Sequence, residues 1–148
     1  MAATAWGFYD SFREYLGNGN FDLNGTSVGF YMSLHTSAAS TNVNTASLST
    51  YASLGNEVAN GNGYATGGAS VTARTWAAGA SAGVFRFDST ALVWTATGGS
   101  IANVKYAVIY QSGGKLVCFS RLTTSQFTLA EDNTLTVTPS ANGIFELT

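Results

Sequence analysis

The chain has 148 residues and a formal charge of −2, and only 9% of it is Asp, Glu, Lys or Arg, against roughly a quarter in an ordinary soluble domain. Its cations, Arg13, Arg74, Arg86, Lys105, Lys115 and Arg121, are scattered. That excludes the basic stripe that displaces counterions from nucleic acid, and no run approaches the roughly 18 apolar residues that cross a bilayer as a helix. Apolar residues at 45% and aromatics at 13% suffice for one packed core, with Ser, Thr, Asn and Gly supplying a neutral surface.

The first ten residues lack a basic segment followed by a sustained apolar stretch, so no secretory signal is expected and folding is assigned to a reducing cytoplasm. Phe8, Phe12, Tyr15 and Leu16 recur at three- and four-residue intervals, with Asp10 early and Gly17 placed to stop the run, which predicts a short amphipathic helix. Residues 1–20 are therefore expected to form an N-terminal arm or helix, and residues 21–148 a single β-sandwich domain. Gly17-Asn18-Gly19-Asn20 and Asn24-Gly25 are turn signals, with Phe21-Asp22-Leu23 a short extended piece between them.

Val28 to Leu34 predicts the first core strand. Ser37 to Ser49 has no periodicity and is expected to be an arm or contact loop. Tyr51 to Leu54 suggests one helical turn, and Gly61 to Gly68 a glycine-rich turn element without the Lys-Ser/Thr ending of a phosphate-binding loop. Strands are then predicted at Ser70 to Trp76, Val84 to Asp88, Leu92 to Thr95, Val104 to Tyr110, Lys115 to Leu122, Thr134 to Thr138 and Ile144 to Leu147. Turn clusters separate them, so the fold class expected is all-β: an antiparallel β-sandwich or jelly-roll-like barrel with a short N-terminal helix. The pair Val104 to Tyr110 and Lys115 to Leu122, joined by Gln111-Ser112-Gly113-Gly114, is the clearest hairpin.

Side chains able to do chemistry are few. His35 is the single histidine and Cys118 the single cysteine, too few for a transition-metal site and expected to be a strand-end histidine and a core thiol. Glu131-Asp132-Asn133 has the composition of a solvated turn, and no Asp-x-Asp-x-Asp-Gly calcium loop exists. No catalytic, cofactor-binding or metal-binding residue is expected. Trp94 in Leu-Val-Trp is predicted to be core, and Trp6 to be free for docking.

The run Tyr51-Ala52-Ser53-Leu54-Gly55-Asn56-Glu57-Val58, followed by Gly63-Tyr64-Ala65-Thr66-Gly67-Gly68, Phe85-Arg86-Phe87-Asp88, Val93-Trp94-Thr95-Ala96-Thr97-Gly98-Gly99-Ser100-Ile101 and Tyr106-Ala107-Val108-Ile109-Tyr110, resembles a family of small virion structural proteins from tailed bacteriophages. The resemblance spans Phe21 to the C-terminus and departs from the expected pattern at Lys105, where an Arg would precede the last motif. It implies a non-enzymatic capsid decoration or cement protein, made in the bacterial host cytoplasm and residing on the virion. Its expected partners are the major capsid protein or neighbouring virion subunits, with a homo-oligomer, a trimer by preference. A tail or fibre component that binds carbohydrate is the alternative, and a glycan-active enzyme with two opposed carboxylates a third. Met1 to Leu16 and Ser37 to Ser49 are expected to carry intersubunit contacts, with Trp6, Phe8, Phe12, Tyr15, Val43, Leu48 and Tyr51 as the contact residues.

Overall fold

The computed structural model describes residues 4–37 and 43–148. Over them the chain is all-β with several antiparallel sheets and one α-helix, as the turn-punctuated apolar runs predict. In chain order the elements are β1 (Gly7–Phe8), α1 (Asp10–Gly17), β2 (Phe30–His35), a 3₁₀ turn (Tyr51–Ser53), β3 (Ala69–Ser70), β4 (Thr75–Ala78), β5 (Phe85–Asp88), β6 (Leu92–Thr95), β7 (Ile101–Val104), β8 (Tyr106–Gln111), β9 (Leu116–Arg121), β10 (Phe127–Leu129), β11 (Thr134–Val137) and β12 (Phe145–Leu147). The largest sheet runs β1-β9-β8-β2-β3; β12-β5-β4 forms a second, and β10-β7 and β11-β6 are two-stranded.

The centre is the β8–β9 hairpin at the expected place. All six residues of β8 are buried, because both faces of this sheet are covered. Phe30, Met32 and Leu34 of β2 share the inner face with Ala107 and Ile109 of β8, and they pack with Phe87, Trp94, Ile101 and Phe145 from the smaller sheets. Tyr106, Val108 and Tyr110 point the other way and meet Tyr9, Val43 and Leu116, under Leu48, Tyr51 and Leu54. The period-2 alternation of a strand makes this division. In β9 it is interrupted, since Ile109 faces Cys118 while Tyr110 faces Leu116. Val117 is the extra residue of a bulge, and it lets Leu116 and Cys118 keep to opposite sides. Cys118 is wholly buried, and burial pushes its thiol pKa well up.

Two predicted strands are broken, the first of them at a residue in the left-handed region. Ser70 to Trp76 divides at Ala73, φ 49°, so that β3 pairs with β2 while β4 pairs with β5. The chain thereby changes sheets, which an uninterrupted strand cannot do. Val104 to Tyr110 divides at Lys105: Val104 ends β7 and Lys105 lies between the sheets, donating its N–H to the His35 carbonyl at 2.9 Å. Phe21-Asp22-Leu23 forms no strand, although Phe21 and Leu23 are buried.

The N-terminal segment is not a separable arm over its described residues. β1 pairs with β9 through Gly7↔Phe119 and Phe8↔Cys118, and α1 lies against the same strand. Phe12 is completely buried, with ring contacts to Phe8 at 5.0 Å, Phe21 at 5.3 Å and Phe145 at 5.5 Å. An arm boundary at residue 20 therefore cuts through a single aromatic core.

Candidate functional site

The outward side chains of β2 are Tyr31, Ser33 and His35, opposite Tyr110, Val108 and Tyr106 of β8. His35 Nδ1 lies 3.0 Å from the Gly55 carbonyl oxygen, which can only accept, so Nδ1 carries the proton of the neutral ring. Nε2 is then the acceptor for the Ser33 hydroxyl, 2.9 Å away. Burial lowers the His35 pKa, opposed by the Gly55 hydrogen bond and by the Glu57 charge.

Glu57 bridges to His35 across the next segment, and its carboxylate gathers the glycine-rich loop. Oε1 accepts from the Tyr64 hydroxyl at 2.7 Å and from the Gly67 N–H at 2.7 Å, and Oε2 accepts from the Tyr51 hydroxyl. The Tyr64 oxygen also accepts the Leu34 N–H at 3.0 Å, which ties the loop to β2. The Tyr110 hydroxyl donates to the Gly67 carbonyl at 2.8 Å, while its ring lies between Tyr51, at 4.3 Å, and Tyr31, at 5.7 Å. Burial first, then the bond to Glu57, raises the Tyr51 and Tyr64 hydroxyls above the usual phenol range. Tyr110 is pushed up to about 12 by burial and by the Glu57 charge. Gly68 is required where it stands, at φ +77°, because a Cβ would lie 1.9 Å from the Met32 carbonyl oxygen.

The Ser33–His35 contact has the hydroxyl-to-imidazole geometry of an activated nucleophile, but the imidazole is oriented by a carbonyl and not by a carboxylate. Ser33 is 0% and His35 1% exposed, so no substrate atom reaches the pair. Glu57 has both oxygens engaged. Among the described residues, no three His, Cys, Asp or Glu side chains come together as a metal site. The arrangement clamps the segments around Tyr51–Glu57 and Tyr64–Gly67 onto the sheet.

The predicted contact residues separate into two places. Trp6 and Phe8 line a groove of about 490 Å³ whose far wall includes Ile144, Phe145 and Glu146. Val43, Leu48 and Tyr51 belong to the layer over the outer face. Tyr15 is half-buried beside the first core, edge-on to Phe21 at 5.8 Å. Two of the seven expectations need correction. Phe12, at 0%, and Val43, at 1%, are interior side chains, since the apolar spacing that suggested a docking face serves this chain's own core. Within the proposed contact segments, residues 1–3 and 38–42 lie outside the described residues.

Glu57, Tyr64 and Ser33 are the functional-looking residues that the sequence did not single out. The available signal was Asn-Glu-Val followed by Gly-Tyr-x-x-Gly-Gly, noticed only as part of a motif order. No family model, no curated protein and no solved structure matches this chain.

Proposed function

We propose that this protein is a non-enzymatic virion structural subunit, a capsid decoration or cement protein acting as a homotrimer on the outside of a phage head. The observation that carries the non-enzymatic part is the engagement of Ser33, His35 and Glu57, the groups nearest to catalytic geometry: each is held by intramolecular bonds, and the Ser–His pair is enclosed without access to solvent. The virion part rests on the motif order of residues 51–110. A nearly neutral surface supports adhesion by many small contacts repeated by symmetry. One ion pair, Arg86 to Asp88 at 3.9 Å, occurs among the described residues. Trp6 and Phe8, which line the groove, are the side chains proposed to meet a neighbouring subunit.

Cryo-electron microscopy of intact particles tests the proposal: density for this chain on the head surface, in three-fold clusters, is expected, and a chain absent from particles overturns it. A glycan-binding tail or fibre module is the second reading. It is favoured by Phe85, 46% exposed and stacked at 5.8 Å on the partly buried Trp76, since exposed aromatic faces suit sugar rings. Sedimentation with separated tails in place of heads would select it.

A further inference from the structure

Arg74 follows the left-handed Ala73 at the break between β3 and β4, and its guanidinium is fixed on three sides. One terminal nitrogen donates to the Val28 carbonyl at 2.9 Å, the other donates to the Gly25 carbonyl, and the cation lies over the Phe30 ring at 4.7 Å. Those bonds use two of the five N–H groups that a guanidinium carries. No further acceptor for the guanidinium occurs among the described residues, and its Nε is not among the buried unsatisfied atoms there.

Arg74 forms part of the wall of a pocket of about 340 Å³, together with the amide of Asn24 and the hydroxyl-bearing Thr26, Ser70 and Thr72. No acidic side chain lines it, although acidic residues outnumber basic ones in the chain as a whole. Thr72 is already paired with Thr90 at 3.0 Å, and Ser70 stands opposite Tyr31, which gives its side chain to the outer face, so Thr26 is the hydroxyl on hand. A planar, always-charged fork held rigid by carbonyls and an aromatic face loses little freedom when it meets a two-oxygen acceptor.

We propose that the Arg74 pocket binds a small oxyanion, a carboxylate or a phosphate, through the guanidinium N–H groups not used in the two carbonyl bonds, with Thr26 as a hydroxyl donor. The two carbonyl bonds are structural, linking the 25–28 segment to the β3–β4 corner, and the anion occupies the face they leave open.

The test titrates inorganic phosphate and, separately, acetate into the full chain at ionic strength fixed with sodium chloride, following the arginine Nε–H resonances. Arg74 is expected to move saturably with at least one anion, while the exposed Arg13 and Arg121 move little and linearly. Phosphate alone saturating identifies a tetrahedral ligand, and acetate alone a carboxylate. Arg74→Lys is expected to abolish saturation, because an ammonium lacks the fork. Thr26→Ala, which leaves both carbonyl bonds intact, is expected to weaken binding roughly fivefold, the loss of about one hydrogen bond. No saturation with either anion, equal movement of all three arginines, or affinity unchanged in Thr26→Ala overturns the proposal.

Discussion

The two faces of the five-stranded sheet are covered by different means. On the inner face, Phe30, Met32, Leu34 and Ile109 meet Phe87, Trp94 and Phe145, and apolar packing is the main contact between the layers. On the outer face, side chains from loops complete the cover, and a carboxylate with three tyrosines pins them. Elements that pair edge to edge can rely on apolar contact for their position, whereas loops without a ladder need directional bonds to fix them. The inner face therefore governs whether the chain folds, and the outer face governs how closely the 50–68 region follows the fold.

Truncation in the inner layer should have the largest effect. Phe87→Ala removes a 0%-exposed ring that contacts Phe30 at 5.7 Å and Phe145 at 5.2 Å. It is expected to cost about 3–5 kcal/mol, seen as a lowered urea midpoint with an unchanged slope. A loss as small as that of an outer-face variant would end the distinction between the faces. Glu57→Ala comes next. It leaves the Tyr64 hydroxyl and the Gly67 N–H without their acceptor and should cost about 2–3 kcal/mol. Hydrogen exchange should quicken at residues 57–68 while the β8 amides stay protected. Glu57→Gln, which keeps a carbonyl acceptor, should lose less than Glu57→Ala.

These effects rest on features unequally visible in the sequence. The β8–β9 hairpin was legible because alternating apolar residues flank Gln111-Ser112-Gly113-Gly114. β1 and β10 were not, having two and three residues, too short for a periodic signal, with partners distant in the chain. The helix was read correctly but its role was not: Phe12 has the same spacing whether its face meets a neighbour or its own core. Ala73 gave no warning of a broken strand, since it is not a glycine, and neither did Lys105. His35 was recognisable as a strand-end residue, but its pairing with Gly55 and the Glu57 clamp depend on a chain reversal that composition does not specify.

Acidification sharpens the comparison from the outer side. His35 has its folded pKa lowered from 6.5 by burial, so the unfolded chain takes up the proton first and stability falls as pH drops below about 6.5, levelling off beneath the folded value. A His35→Gln variant lacks this titration. The stability gap between wild type and variant should thus shift against the wild type on acidification; a gap constant between pH 7 and 5 contradicts the assignment. The smallest effect is expected at the exposed Ala73, φ 49°, where an L side chain resists the left-handed conformation. Ala73→Gly should stabilise by about 0.5–1 kcal/mol, read as a small rise in Tm.

Cys118 gives the molecule an internal clock. The one cysteine of the chain sits where β9 meets both β1 and β8, sealed from solvent. A thiol-specific reagent can mark it only after those strands part, so the rate of labelling counts the openings of the central sheet. Loosening of the tyrosine cover alone should leave that rate unchanged.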